Sequence, residues 1–221
     1  PNGESTSPYY DYSGNFLGVD EYGFSGDVML ASRDEWISYD SDNDGVVKSD
    51  KIKQSPVTHE FDNVNISNNL KGKILTHVVN YSLKDGNNFN QLINVTATNG
   101  DYNFSAEGAT PDNINIKASK WQNSYATTVE NMRNSINQHE VKAHVLNDIK
   151  GWDDQHYKAY KMQVDHRSFR TSTKKHQAYI MARFYEHGKY GNYDILKNER
   201  YKSLFYESGG YDLIMKWNNY E

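Results

Sequence analysis

The chain contains no cysteine, only four prolines and no apolar run that approaches the length of a membrane span. The first absence excludes a disulfide framework and a thiol nucleophile. It also lets the chain pass through oxidising compartments without mispairing. The lack of a long apolar stretch excludes a helical membrane span, and no signal-peptide pattern is present. Aliphatic residues are scarce too: the hydrophobic fraction is 36% and the mean hydropathy -0.91. Nor is there a global positive charge, since the formal net charge is -5. Nothing global therefore points to nucleic acid, and the mildly basic C-terminal half reads as a solvated helical surface before it reads as a polyanion site.

What the chain does have is aromatic residues, 14% of the total, with 18 tyrosines. Tyrosine buries its ring and keeps its hydroxyl wet, so such a chain can build a core and stay polar outside. The length, 221 residues, suits one large domain or two small ones. Residues 1–12 read as a linker, and the Gly/Ser/Asn/Pro start is expected of a piece excised from a longer chain. Residues 13–37 show short apolar runs broken by glycine, as short strands and tight turns do. Residues 1–37 are thus read as a leading segment and 38–221 as the working domain, strand-rich over 38–120 and helical over 121–221.

Residues 38–60 read as an acidic loop containing Asp40-Ser41-Asp42-Asn43-Asp44-Gly45. Alternate carboxylates at Asp40, Asp42 and Asp44, followed by glycine, match the start of a calcium loop. The twelfth position is Lys51 rather than glutamate, so an acidic turn is the preferred reading and calcium the lesser one. Helical spacing predicts a helix over 68–84. Runs at 92–98 and 101–105 flank Asn99-Gly100, which predicts a hairpin. Residues 113–119 alternate as a half-buried strand does. Thr127 to Glu130 fits a capping box that opens a helix running to about 147. Further helices are expected over 153–167, 173–187 and 194–206, punctuated by Gly151, Gly188, Gly191 and Gly209-Gly210. The sum is an α+β chain, with short strands and hairpins in the first half and helices in the second.

Six histidines crowd the interval from His139 to His187: His139, His144, His156, His166, His176 and His187. Histidine is the commonest zinc ligand and the usual acid–base group near neutrality. His139-Glu140-Val141-Lys142-Ala143-His144 suggests a zincin-like site, in which two histidines hold zinc and the glutamate deprotonates the attacking water. The histidines are five apart rather than four. At about 100° per residue they would stand roughly 140° apart on a regular α-helix, so one ion could not be shared. A π-bulge would return them to one face, and the dipeptidyl peptidase III family is built around a motif of this kind. The pair Glu140 and His144 needs no bulge, and a solvated helical face is the bland alternative. On the next helix His156, Tyr160, Gln163 and His166 form a polar stripe. His166 is the first choice for a third ligand and His156 the second, with Tyr160 as a donor to a developing oxyanion. The strand over 113–119 is a candidate edge for pairing with a peptide substrate.

The run from Thr128 to Arg133, the His139-Glu140-x-x-x-His144 motif, and His156-Tyr157-Lys158-Ala159-Tyr160-x-x-Gln163-x-x-His166 resemble C-terminal toxin domains. These are found in rearrangement-hotspot (Rhs) and related polymorphic toxin proteins of bacteria, notably of Bacteroidetes. Residues 10–37 resemble the segment that follows the shell in those proteins, so the likeness covers about 10–37 and 115–170. It implies a metallopeptidase-like toxin tip released from a large secreted carrier, delivered into a target cell and blocked in the producer by an immunity protein. Members usually carry glycine where this chain has Ala143 and Val145, and glycine would ease a distorted turn.

Two other functions compete with a zinc-dependent hydrolase. A nuclease toxin could use Arg167, Arg170, Lys174, Lys175 and Arg183 for phosphates, with His166, His176 and His187 as acid–base groups. A binding module without catalysis would leave the histidines structural.

Overall fold

Tyr9 and Tyr10, expected to lie in a linker, are fully buried. They belong to β1 (Pro8–Tyr10), the central strand of a five-stranded sheet in this computed structural model, which describes residues 7–83, 91–98, 104–110, 112–118, 127–150 and 154–219. β1 pairs antiparallel with β2 (Phe16–Asp20) and parallel with β3 (Met29–Leu30). β4 (Val46–Val47) and β5 (His59–Glu60) form the outer strands, giving the order β4-β2-β1-β3-β5. Successive side chains of a strand point to opposite faces, and here both faces are covered. Tyr9 packs with Met29, Trp36, Val47 and Ile52, whereas Tyr10 joins a larger core with Val28 and Leu30. That double burial is why an aromatic run this short forms a strand. The sheet draws strands from both sides of residue 37, where the sequence suggested a boundary. The expected loop over 38–60 holds short elements, and Trp36 is supplied by α1 (Arg33–Tyr39), with α2 (Ser49–Ile52) behind β4.

Helix α3 (Asn68–Leu83) forms as expected and lies on a second sheet. Gly72 allows the close approach, since a Cβ there would meet the Val95 carbonyl at 2.7 Å. The sheet contains β6 (Leu92–Ala97), β7 (Phe104–Ala109) and β8 (Asn113–Ala118) in the order β6-β8-β7. This corrects the expected hairpin: β6 and β7 are not neighbours, and the Asn99-Gly100 turn lies outside the described residues. β8 pairs parallel with β6 and antiparallel with β7. It takes the centre because Ile114 and Ile116 alternate most completely and are buried beside Ile93 and Val95. β7 is the weaker strand and takes the edge.

Helix α4 (Val129–Met132) continues without a break into a π-helix (Arg133–Leu146). The expected capping box is shifted by one residue. The cap is Thr128, whose hydroxyl accepts the Asn131 N–H, because Thr127 is held by Asp62. Glu130 pairs with Arg133 and accepts from Thr171 instead of reaching back. The expected helix over 153–167 is two: α5 (Tyr157–Asp165) and α6 (Arg167–Thr171), broken at His166, whose backbone is extended. α7 (Lys174–Tyr190), α8 (Glu199–Glu207) and a further helix, α9 (Gly210–Asn218), complete a helical layer with its own core, which includes Val164, Phe169, Met181, Phe184 and Phe205. The architecture is α+β, with small sheets in the first half and helices in the second. Among the described residues no helix is long and apolar enough to cross a membrane.

Candidate metal centre

The π-helix lies on the seam between the sheet core and the helical layer. Met132, Ile136, Val141 and Val145 point into the sheet core, at intervals of four, five and four residues. That spacing is too wide for the 3.6-residue period of an α-helix and suits a coil whose hydrogen bonds run from i to i+5. The opposite stripe carries Asn134, His139 and His144, five residues apart. The expected single bulge is therefore a whole helix, and it forms without glycine at 143 or 145. Ala143 is fully buried, so the small side chain there serves packing.

In this coil His139 and His144 stack on one face, with ring centroids 4.8 Å apart. His156, in the turn entering α5, closes the group, and its Nε2 lies 3.1 Å from Nε2 of His139. Each of the three imidazoles offers a nitrogen, and these atoms lie within 4.8 Å of one another. The turn bearing His156 is pressed against the end of α7: a Cβ on Gly191 would meet the Asp154 carbonyl at 2.2 Å.

Buried hydrogen bonds fix how two of the rings present themselves. Gln163 Nε2 donates to the backbone and side-chain oxygens of Asn134, at 3.3 and 3.1 Å. Its Oε1 therefore faces Nδ1 of His139 at 2.7 Å. The acceptor requires a proton on Nδ1, which leaves the His139 Nε2 lone pair facing His156. Asn134 Oδ1 in turn meets Nε2 of the fully buried His176 at 3.0 Å. His144 Nδ1 donates to the Ile149 carbonyl in the same way. Burial, followed by the neighbouring imidazoles, holds His139 well below its ordinary value. Burial, followed by His187 and His144, brings His156 down to about 3. These two rings are neutral at ordinary pH, the state a ligand needs.

Glu140 is buried beside the cluster, and its Oε2 accepts the Ala106 N–H of β7 at 3.0 Å. Burial pushes its carboxyl up to about 8, against that hydrogen bond. Tyr160 packs its ring 4.7 Å from His139 and 5.1 Å from His156. Burial raises its phenol far above the ordinary value, with Arg183 pulling the other way, so the hydroxyl stays a donor. These groups line one cleft of about 730 Å³, bounded by β7 on one side and α7 on the other. A bulge at Glu107 re-aims β7 there.

His139, Glu140, His144, His156, Tyr160 and Gln163 are thus brought together. His166 is not. It caps α6, accepting the Ser168 N–H on Nδ1, and it does not line the cleft. The break at Asp165 removes it from the α5 stripe, and His156, the second choice, stands in the cluster. The strand expected over 113–119 to offer an edge is β8, which is paired on both sides, and the sheet edge that lines the cleft is β7. Of the basic group suggested for phosphates, Arg183 and His187 line the cleft, while Arg167, Arg170, Lys174 and Lys175 do not. Asn134 and the Ile149 carbonyl were not singled out from the sequence, though a polar residue five before His139 was a visible signal.

Asp40, Asp42 and Asp44 also gather, in the turn between α1 and β4, with a helix on either side. Asp40 accepts from the N–H groups of Asp44 and Gly45 and from the Trp36 indole, and Asp44 accepts from Val46. Asp40 and Asp44 thus already serve the loop's own turn, with Asn43 and Gly45 at positive φ.

Compared with protein-family models, with curated proteins and with solved structures, the chain matches none.

Proposed function

We propose that this chain is a zinc-dependent hydrolase acting on peptides, with His139, His144 and His156 as ligands and Glu140 as general base. The observation that carries the reading is the 3.1 Å separation of the His139 and His156 Nε2 atoms. Two nitrogens each about 2.0–2.1 Å from a tetrahedral ion lie roughly 3.3 Å apart. Three imidazole ligands suit zinc, and a site with three protein ligands keeps a position for chemistry. When bound, zinc supplies Lewis acidity and makes water a nucleophile near neutral pH.

The chain's own groups do the rest. Glu140, beside the first ligand, would as a carboxylate take the proton of the attacking water and return it to the leaving amine. Tyr160 donates its phenol to the oxyanion. β7, the sheet edge facing the cleft, pairs with an extended peptide through main-chain groups. The resemblance to Rhs-type toxin tips supplies the biological setting of the proposal: a secreted carrier, delivery into a target cell and a cognate immunity protein.

The test is metal analysis of untagged protein with a growth assay. About one equivalent of zinc per chain is expected, lost on chelation, with toxicity in an expressing cell abolished by Glu140→Gln. Absence of zinc after supplementation, or full toxicity of Glu140→Gln, overturns the reading.

A further inference from the structure

Arg183 lines the cleft from α7, one turn before His187. Its guanidinium carbon lies 5.8 Å from the Tyr179 ring centre, and Nη1 pairs with Glu186 at 2.9 Å. Nε is buried without a partner, and the Tyr160 hydroxyl also lies within hydrogen-bonding reach of the guanidinium. A guanidinium edge is the fork that meets both oxygens of a carboxylate, and among the described residues Glu186 is the one carboxylate paired with Arg183. A guanidinium keeps its charge at any pH a protein meets. The groups beside it in the cleft, His156, Tyr160, Tyr179 and His187, are rings and not carboxylates. Glu186 answers the charge from one side only, and the arginine side chain remains 38% exposed.

We infer that Arg183 is a specificity-determining residue that binds a carboxylate of the substrate next to the bond being cut. The inference rests on the hydrolase reading and names its substrate class: peptides bearing a carboxylate within one residue of the scissile bond. Two sources share that chemistry, a free C-terminus and an aspartate or glutamate side chain. Tyr179, whose ring faces the guanidinium, and Tyr160 form the walls against which the carboxylate-bearing residue packs.

The test uses the full chain, metal-free and with one equivalent of zinc, titrated calorimetrically with benzylsuccinate and with the monoamide that lacks its distal carboxylate. The dicarboxylate should bind about tenfold to a hundredfold more tightly than the monoamide, the range of one charged hydrogen-bonded contact. Arg183→Gln should erase that preference while leaving zinc stoichiometry unchanged, and Arg183→Lys should keep part of it. Equal binding of the two compounds to wild type, or a preference that survives Arg183→Gln, overturns the inference. Failure to take up zinc while the preference persists overturns the hydrolase reading and leaves Arg183 as an anion site. Two peptides separate the sources, one with a free C-terminus and no acidic side chain, the other amidated with a single internal aspartate. Tighter binding of either identifies the source, and no difference from an amidated peptide without aspartate counts against the inference.

Discussion

His139 lies in the π-helix and His156 in the turn entering α5, yet their Nε2 atoms face each other at 3.1 Å, each ring turned so that its other nitrogen points away. On the His139 side the turning is done by Gln163; on the His156 side by the turn wedged against Gly191. The π-helix and the turn entering α5 thus converge on one point, where His139 presents a lone pair. That convergence sets the ligand assignment and the experiments that follow from it.

The first concerns which third histidine binds. His156→Ala should abolish stoichiometric zinc uptake, because it removes one of three ligands. His166→Ala should leave uptake intact and lower stability by about 0.5–2 kcal/mol, the usual cost of losing a helix cap. Zinc titration with a competing chelator and urea denaturation read the two effects. Zinc loss in His166→Ala with none in His156→Ala would reverse the assignment.

The second concerns Gln163, which touches no reacting atom and acts through His139. Gln163→Leu removes the acceptor that fixes the ring's tautomer. Zinc affinity should fall by roughly 10–100-fold, as for other groups behind a metal ligand. Gln163→Glu, which keeps an acceptor at that position, should recover part of the loss. Unchanged affinity in Gln163→Leu would show that packing alone orients the ring.

The third concerns acid. Burial lowers His176 to about 3, and the ring is neutral in the folded state. In the unfolded chain it titrates near 6.5. The folded pKa is the depressed one, so the ring's contribution is full above about pH 6.5 and is lost as pH falls towards 3, where the unfolded chain holds the extra proton. Metal-free protein should therefore lose up to about 1.4 kcal/mol more per pH unit than His176→Gln between pH 6 and 4. Urea midpoints at several pH values measure this, and parallel curves for the two proteins would refute it.

Much of the chemistry was legible in local sequence. His139, Glu140, His144, Tyr160 and Gln163 follow from spacing and residue type, and the need for a wider coil follows from histidines five positions apart. The proposed third ligand was not, because His156 and His166 share a stripe only if the helix runs on, and it breaks after Asp165, whose carboxylate Tyr201 and Arg200 hold from another helix. The hairpin failed for a related reason. Asn99-Gly100 is a local signal, whereas the central place of β8 depends on Ile114 and Ile116 finding Ile93 and Val95 across the sheet. Tyr9 and Tyr10 looked like linker because burial on two faces at once leaves no alternation to read.

A fourteen-residue π-helix is not a form that local preference selects, since such coils otherwise occur mostly as single turns. Its width is imposed from outside, by the sheet beneath Ile136 and Val141 and by α5 through Gln163. Competence therefore arrives late in the life of the folding chain: a partly folded polypeptide, threaded or newly emerged, has the histidines but no common centre. Amide hydrogen exchange during refolding should accordingly protect Arg133–Leu146 after α3 and the sheet, and earlier protection of that segment would contradict this order. Under the hydrolase proposal, such a chain would be harmless until that coil is finished.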